Sequence, residues 1–132
     1  MRRLAIDVQP GEYTVARLAA DAPVPSALLE VAEPVLVSVT RTPSELSIIC
    51  PAGLAPEGAS VEPGWRLLTV RGPLAFTLTG IIAALASELA AAGVALFSLS
   101  TFDTDHVLVK ACDLDRAVAA LRASGHEVAA AG

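Results

Sequence analysis

From residue 65 to residue 129 the apolar residues switch between the period of two of a half-buried strand and the wider spacing of a helix. The switches come in one order. Residues 65–71 read as a strand, 72–79 as a loop opened by Gly72-Pro73, 80–92 as a helix closed by Gly93, and 94–100 and 106–111 as two strands around a tight turn. Asp113 is the expected N-cap of an amphipathic helix in which Leu114, Ala117, Val118 and Leu121 share one face, Arg122 sits in the last turn and Gly125 closes it. Residues 126–129 remain as a short final strand. The series is βαββαβ, the ferredoxin-like arrangement in which two helices cover one face of a four-stranded antiparallel sheet, so the fold class is α+β.

The first half repeats this pattern in shortened form. Leu4, Ile6 and Val8 alternate with more polar residues as a strand, residues 13–18 form another, and Ser26 is placed to cap a helix over 27–33 that stops at Pro34. Strands follow over 35–40 and 46–50. Laying Ser38 on Ser98 superposes SVTRTPSELSII on SLSTFDTDHVLV, strand on strand and turn on turn, with Glu45 and Asp105 ending the two turns. Laying Pro10-Gly11 on Pro63-Gly64 brings Ser26 onto Thr79, and the mismatch between the registers shortens the first helix by roughly two turns. Residues 1–62 are therefore expected to be a degenerate repeat without a second helix, with strand 4–8 filling its vacant edge, and residues 63–132 a complete one.

Composition narrows the partners. The chain is 54% hydrophobic but only 4% aromatic, and carries a net charge of -5, which disfavours a phosphate backbone and removes the stacking residues of a single-strand nucleic-acid binder. The uncharged run between Arg71 and Glu88 contains Gly, Pro and Thr and is shorter than a membrane span, and no signal segment is read after Met1. Cys50 and Cys112 form no CxxC pattern, so free thiols packing as small apolar residues in a reducing cytoplasm are expected. Strand 94–100 is apolar on both alternating faces, and helices can cover only one of them. The other is expected to meet the first half of the chain or a second subunit, making a homodimer the simplest assembly.

The functional reading rests on two turns. GPLAFTLTG, Gly72 to Gly80, feeds a helix N-terminus, whose unpaired N–H groups and dipole suit a carboxylate or phosphate. STFDTD, Ser100 to Asp105, offers Asp103 and Asp105 to an ammonium or guanidinium group. Opposite charges at one place point to a zwitterion. Asp and Thr also populate tight turns for purely local reasons, and Gly72-Pro73 also serves as a simple strand terminator. His106 and His126 lack metal-ligand spacing, His106 being expected on a solvated strand face with Lys110. No acid, base and nucleophile can be assembled by spacing, so the chain does not read as an enzyme, and no cofactor or metal is implied.

The blocks GPLAFTLTG and STFDTDHVLVK, with VTRTPSELSI before them, resemble the small bacterial ACT-domain proteins related to the regulatory half of aspartate kinases and to the CASTOR-type arginine sensors. The resemblance spans nearly the whole chain and implies a tandem ACT-like fold with an amino-acid-responsive regulatory role. Carried over residue by residue, it implies a ligand loop at Phe76, Thr77, Leu78, Thr79, Gly80 and Ile81. It also implies an opposing strand and turn at Phe97, Ser98, Thr101, Asp103, Thr104 and Asp105. No catalytic domain accompanies the repeats in this sequence, so any regulatory output is expected either to act in trans on a partner enzyme or to have been lost. In the first repeat Arg41 and Pro43 stand where Thr101 and Asp103 stand in the second, which argues for one site per chain. The alternative reading is a ligand-free interaction and dimerisation module.

Overall fold

The computed structural model of the protein describes residues 3–75 and 79–130. Along them run β1 (Ala5–Val8), β2 (Tyr13–Leu18), β3 (Ser38–Arg41), β4 (Leu46–Pro51), β5 (Ser60–Val70), α1 (Ile81–Ala91), β6 (Leu96–Ser100), β7 (Asp105–Lys110), α2 (Leu114–Ala123) and β8 (Glu127–Ala130). The class is α+β, and β5, α1, β6, β7, α2 and β8 reproduce the βαββαβ order read from the sequence. Neither helix is long and apolar enough to cross a membrane.

The chain divides into two compact units, Gly11–Trp65 and the first ten residues together with the chain from Arg66 onward. In the Gly11–Trp65 unit the strand order is β3-β4-β2 and then the first part of β5, all antiparallel. Its core is small and aliphatic, built from Ala16, Leu28, Leu46, Ile48 and Cys50. Burial pushes the Cys50 thiol pKa up, whereas Cys112 is exposed rather than packed. The helix expected over 27–33 is absent, and only a 3₁₀ turn, Ser26–Leu28, stands there. Nucleating a helix is costly, and barely two turns fenced by Pro25 and Pro34 return too few hydrogen bonds to offset it. Arg41 fastens the neighbouring loop by donating to the carbonyl oxygens of Ala20 and Ala22.

In the other unit the sheet order is β8-β1-β5-β7-β6. Strand β1 is not the edge of the first half, as its place in the chain implies. It lies antiparallel to β5, with Ile6 opposite Val70, and parallel to β8, with Ile6 opposite Val128. Its alternation explains the choice: Leu4 and Ile6 enter a core completed by Leu68, Val70, Val107 and Val109 of the sheet and by Leu85, Leu89 and Leu121 of the helices. Asp7, on the opposite face, pairs with Arg71 at 2.6 Å. That guanidinium holds the Asp7 carboxyl below the usual carboxylate range.

A buried polar link reinforces the insertion. The Leu4 N–H donates to His126 Nδ1 at 3.1 Å, which leaves the proton of neutral His126 on Nε2, 2.8 Å from Glu88 Oε1 of α1. Helix α2 ends as the sequence implies: Gly125, at φ 97°, lets His126 N–H reach the Leu121 carbonyl at 3.1 Å. Its beginning differs, because the Asp113 carboxylate accepts from Arg116 at 2.8 Å instead of capping the helix.

Since β1 is interior to its sheet, Ile6→Ala should cost ~2–4 kcal/mol in calorimetric unfolding, the range of a buried large-to-small change. A loss under about 1 kcal/mol would mark β1 as a dispensable edge.

Candidate functional site

The end of β5 and the turn between β6 and β7 are fastened to each other. Thr104 Oγ1 donates to the Val70 carbonyl at 2.5 Å and the Leu74 N–H donates to the Asp103 carbonyl at 2.6 Å. Gly72 makes this approach possible: a Cβ there would lie 2.9 Å from the Asp103 carbonyl oxygen and 3.2 Å from Thr104 Cβ. The sequence marks Gly72 as a strand terminator, but its structural role is close contact. The turn itself is closed by the Thr101 N–H and hydroxyl on the Thr104 carbonyl, at 2.8 and 3.2 Å.

A cavity of about 380 Å³ opens between this turn and the start of α1. Gly80 precedes the helix with φ 81° and supplies no side-chain cap. The first intrahelical bond runs from the Ala84 N–H to the Gly80 carbonyl at 2.9 Å. The earlier N–H groups of Ile81, Ile82 and Ala83 have no partner within the helix, and these three residues line the cavity. Across it stand Asp103 and Asp105. Asp105 Oδ1 accepts from Ser100 Oγ at 2.5 Å, a cross-strand pair set by the β6–β7 register. Asp103 is exposed, and its carboxylate has no hydrogen bond or ion pair among the described residues.

Of the residues singled out from the sequence, Gly80, Ile81, Thr101, Asp103, Thr104 and Asp105 line this one cavity. Phe97 and Ser98 stand on β6 opposite Leu108 and Val107 and do not line it, nor does the exposed Thr79. Phe76, Thr77 and Leu78 lie outside the described residues. The lining residues not singled out include Leu74, Ile82 and Phe102. Phe102, 79% exposed at the tip of the turn, carried the one visible signal, a large apolar residue in a polar loop.

His106 is not the solvated residue that alternation with Lys110 implies. Its ring is half-buried, with Nδ1 3.0 Å from Thr69 Oγ1 and Nε2 3.5 Å from Thr101 Oγ1. Burial lowers its pKa below the ordinary 6.5, and the Asp105 carboxylate opposes that shift.

A family model for the ACT domain matches residues 60–123, and a second model, for an N-terminal domain, matches residues 11–57. A crystallised protein of Agobacterium tumefaciens is 36% identical, covers all of this chain with 96% of its own length, and superposes with a TM-score of 0.89. The chain is an ACT-domain protein. The regulatory subunit of aspartate kinase from Thermus thermophilus shares its fold, at 14% identity and a TM-score of 0.67 over 94% of this chain and 99% of that one. Against the Synechocystis aspartate kinase the likeness covers 96% of this ACT-domain chain and 27% of the kinase, with 21% identity and a TM-score of 0.68. No curated protein matches.

Two outcomes test the geometry of the site. Gly72→Ala should push the 101–104 turn aside and cost ~1–3 kcal/mol, as overpacking does, in calorimetric unfolding. Gly53→Ala, where an added Cβ meets nothing within 4 Å, should be nearly neutral. For His106 the depressed pKa means that the unfolded chain takes up the proton first as pH falls. Its contribution is fully present above about pH 6.5 and is lost as pH drops from there toward the folded pKa. His106→Gln should therefore flatten the stability difference between about pH 7.5 and about pH 5.5, measured by denaturant unfolding at both values. An unaltered slope would mean that the ring is not desolvated.

Proposed function

We propose that this ACT-domain protein is a regulatory module that binds a free α-amino acid in the cavity between the start of α1 and the 100–105 turn. The observation that carries the reading is an opposition across the cavity: the N–H groups of Ile81, Ile82 and Ala83, without a partner inside the helix, on one wall, and the Asp103 carboxylate, without a partner among the described residues, on the other. The donors suit the ligand carboxylate, and Asp103, aided by Asp105, suits the ammonium group. The fold shared with the aspartate kinase regulatory subunit supports a regulatory rather than catalytic role. The protein works in trans, as a homodimer that presents an amino-acid-dependent surface to a partner enzyme. Strand β6 supports the dimer, because it pairs with β7 alone among the described residues and leaves Phe97 38% exposed. Binding rigidifies the interface, and the difference in affinity between two states of that interface carries the signal.

The test is thermal unfolding against the twenty amino acids at millimolar concentration. A ligand present at about 100 times its Kd should add about 2.7 kcal/mol. Asp103→Ala should weaken the responding ligand about tenfold or more without moving the ligand-free midpoint, since the residue is exposed. A flat panel would favour the ligand-free interaction module instead, with Phe97 and Phe102 as its contact residues.

A further inference from the structure

A second cavity of about 510 Å³ lies in the same unit, along α2 and β8 and away from the 100–105 turn. Its walls combine two chemistries. Val8, Leu114, Val118 and Val128 are aliphatic, whereas Arg66 and Arg122 bring two guanidinium groups. Both are oriented by backbone carbonyls: Arg66 Nη2 donates to Gln9 at 3.3 Å and Arg122 Nη2 to Val128 at 2.8 Å. The Nε of Arg66 is buried without a partner, so this side chain is held in the wall and does not sweep through solvent.

The charge at this place is uncompensated. In the same unit Arg71 is paired with Asp7 and Arg116 with Asp113, yet Arg66 and Arg122 have no carboxylate oxygen within 4.0 Å among the described residues. Asp115, in the first turn of α2, also lines the cavity without reaching either guanidinium, so that among the described lining residues one positive charge is in surplus. The chain as a whole has 14 acidic and 9 basic residues, so carboxylates to neutralise both arginines were in ample supply. A pre-oriented pair of guanidiniums beside an aliphatic wall matches a carboxylate that carries an aliphatic tail.

We propose that this cavity is a second ligand site, independent of the amino-acid site, and that it takes a small monoanionic aliphatic carboxylate. The carboxylate sits between Arg66 and Arg122 and the tail lies along Val118, Leu114 and Val8. The test uses octanoate as the probe, with calorimetric titration for affinity and methyl NMR for location. Octanoate should bind saturably and shift the methyl signals of Val8, Leu114 and Val118, while octanol and octylammonium of the same chain length should bind at least about tenfold more weakly. Arg122→Gln should weaken octanoate about tenfold or more, and Arg122→Lys less. Ala119→Glu, at an exposed position lining the cavity, should abolish binding by placing a carboxylate beside the arginines without disturbing the fold. Asp103→Ala should leave octanoate affinity unchanged, which separates this site from the amino-acid site. Equal binding of octanol, or full affinity in both Arg122→Gln and Ala119→Glu, would overturn the proposal.

Discussion

The insertion of β1 between β5 and β8 is the constraint on which the ACT-domain unit depends. The four residues of β1 complete a sheet whose other members are the second part of β5, from Arg66, and the strands after it, so the unit closes only when the two distant segments meet. Hydrophobic burial drives this, with Leu4 and Ile6 at 6% and 2% exposure facing the helices. Two polar links specify the register: Asp7 with Arg71 on one face, and the Leu4 N–H with His126 and Glu88 at the end of the strand. A slip of one residue would expose Ile6 and bury Asp7.

From that frame the site follows by a short chain of contacts. β1 aligns β5, the end of β5 presents Val70 with Gly72 just beyond it, and these receive Thr104 and Asp103 from the turn between β6 and β7. The backbone of Asp103 is thereby fixed while its carboxylate remains available across from the start of α1. Thr104 and Asp105 spend their side chains on Val70 and Ser100, and that local bonding steadies Asp103, whose carboxylate has no partner among the described residues. The first repeat puts the same turn to a different use. There Arg41 fastens the loop at Ala20 and Ala22, and Thr42 accepts from the N–H groups of Ser44 and Glu45, both at 3.1 Å.

The distribution of charge follows the same logic. An acidic, aliphatic chain pairs two of the arginines of its ACT-domain unit and leaves two others in one cavity, while its acidic turn faces helix N–H groups in another. Each cavity therefore holds charged groups with no ion-pair partner among the described residues.

Local patterns determined much of this protein. Period-two runs in β5 and β7, the helical spacing of Leu114, Ala117 and Leu121, and Gly125 at the end of α2 were legible because each depends on residues within a few positions of one another. The meeting of Leu74, Ala75 and Gly80 with the 100–105 turn was legible as well, since the βαββαβ order brings both to one end of the sheet. Only the tertiary structure decided that strand 5–8 leaves the half it begins, that the segment near Ser26 stays a single 3₁₀ turn, that His106 is withdrawn from solvent, and that Arg66 and Arg122 line one cavity without an ion-pair partner among the described residues. Each of those outcomes is a competition for burial or charge between segments far apart in the chain. Periodicity records which face of an element is apolar, and it carries no record of which distant element will cover that face.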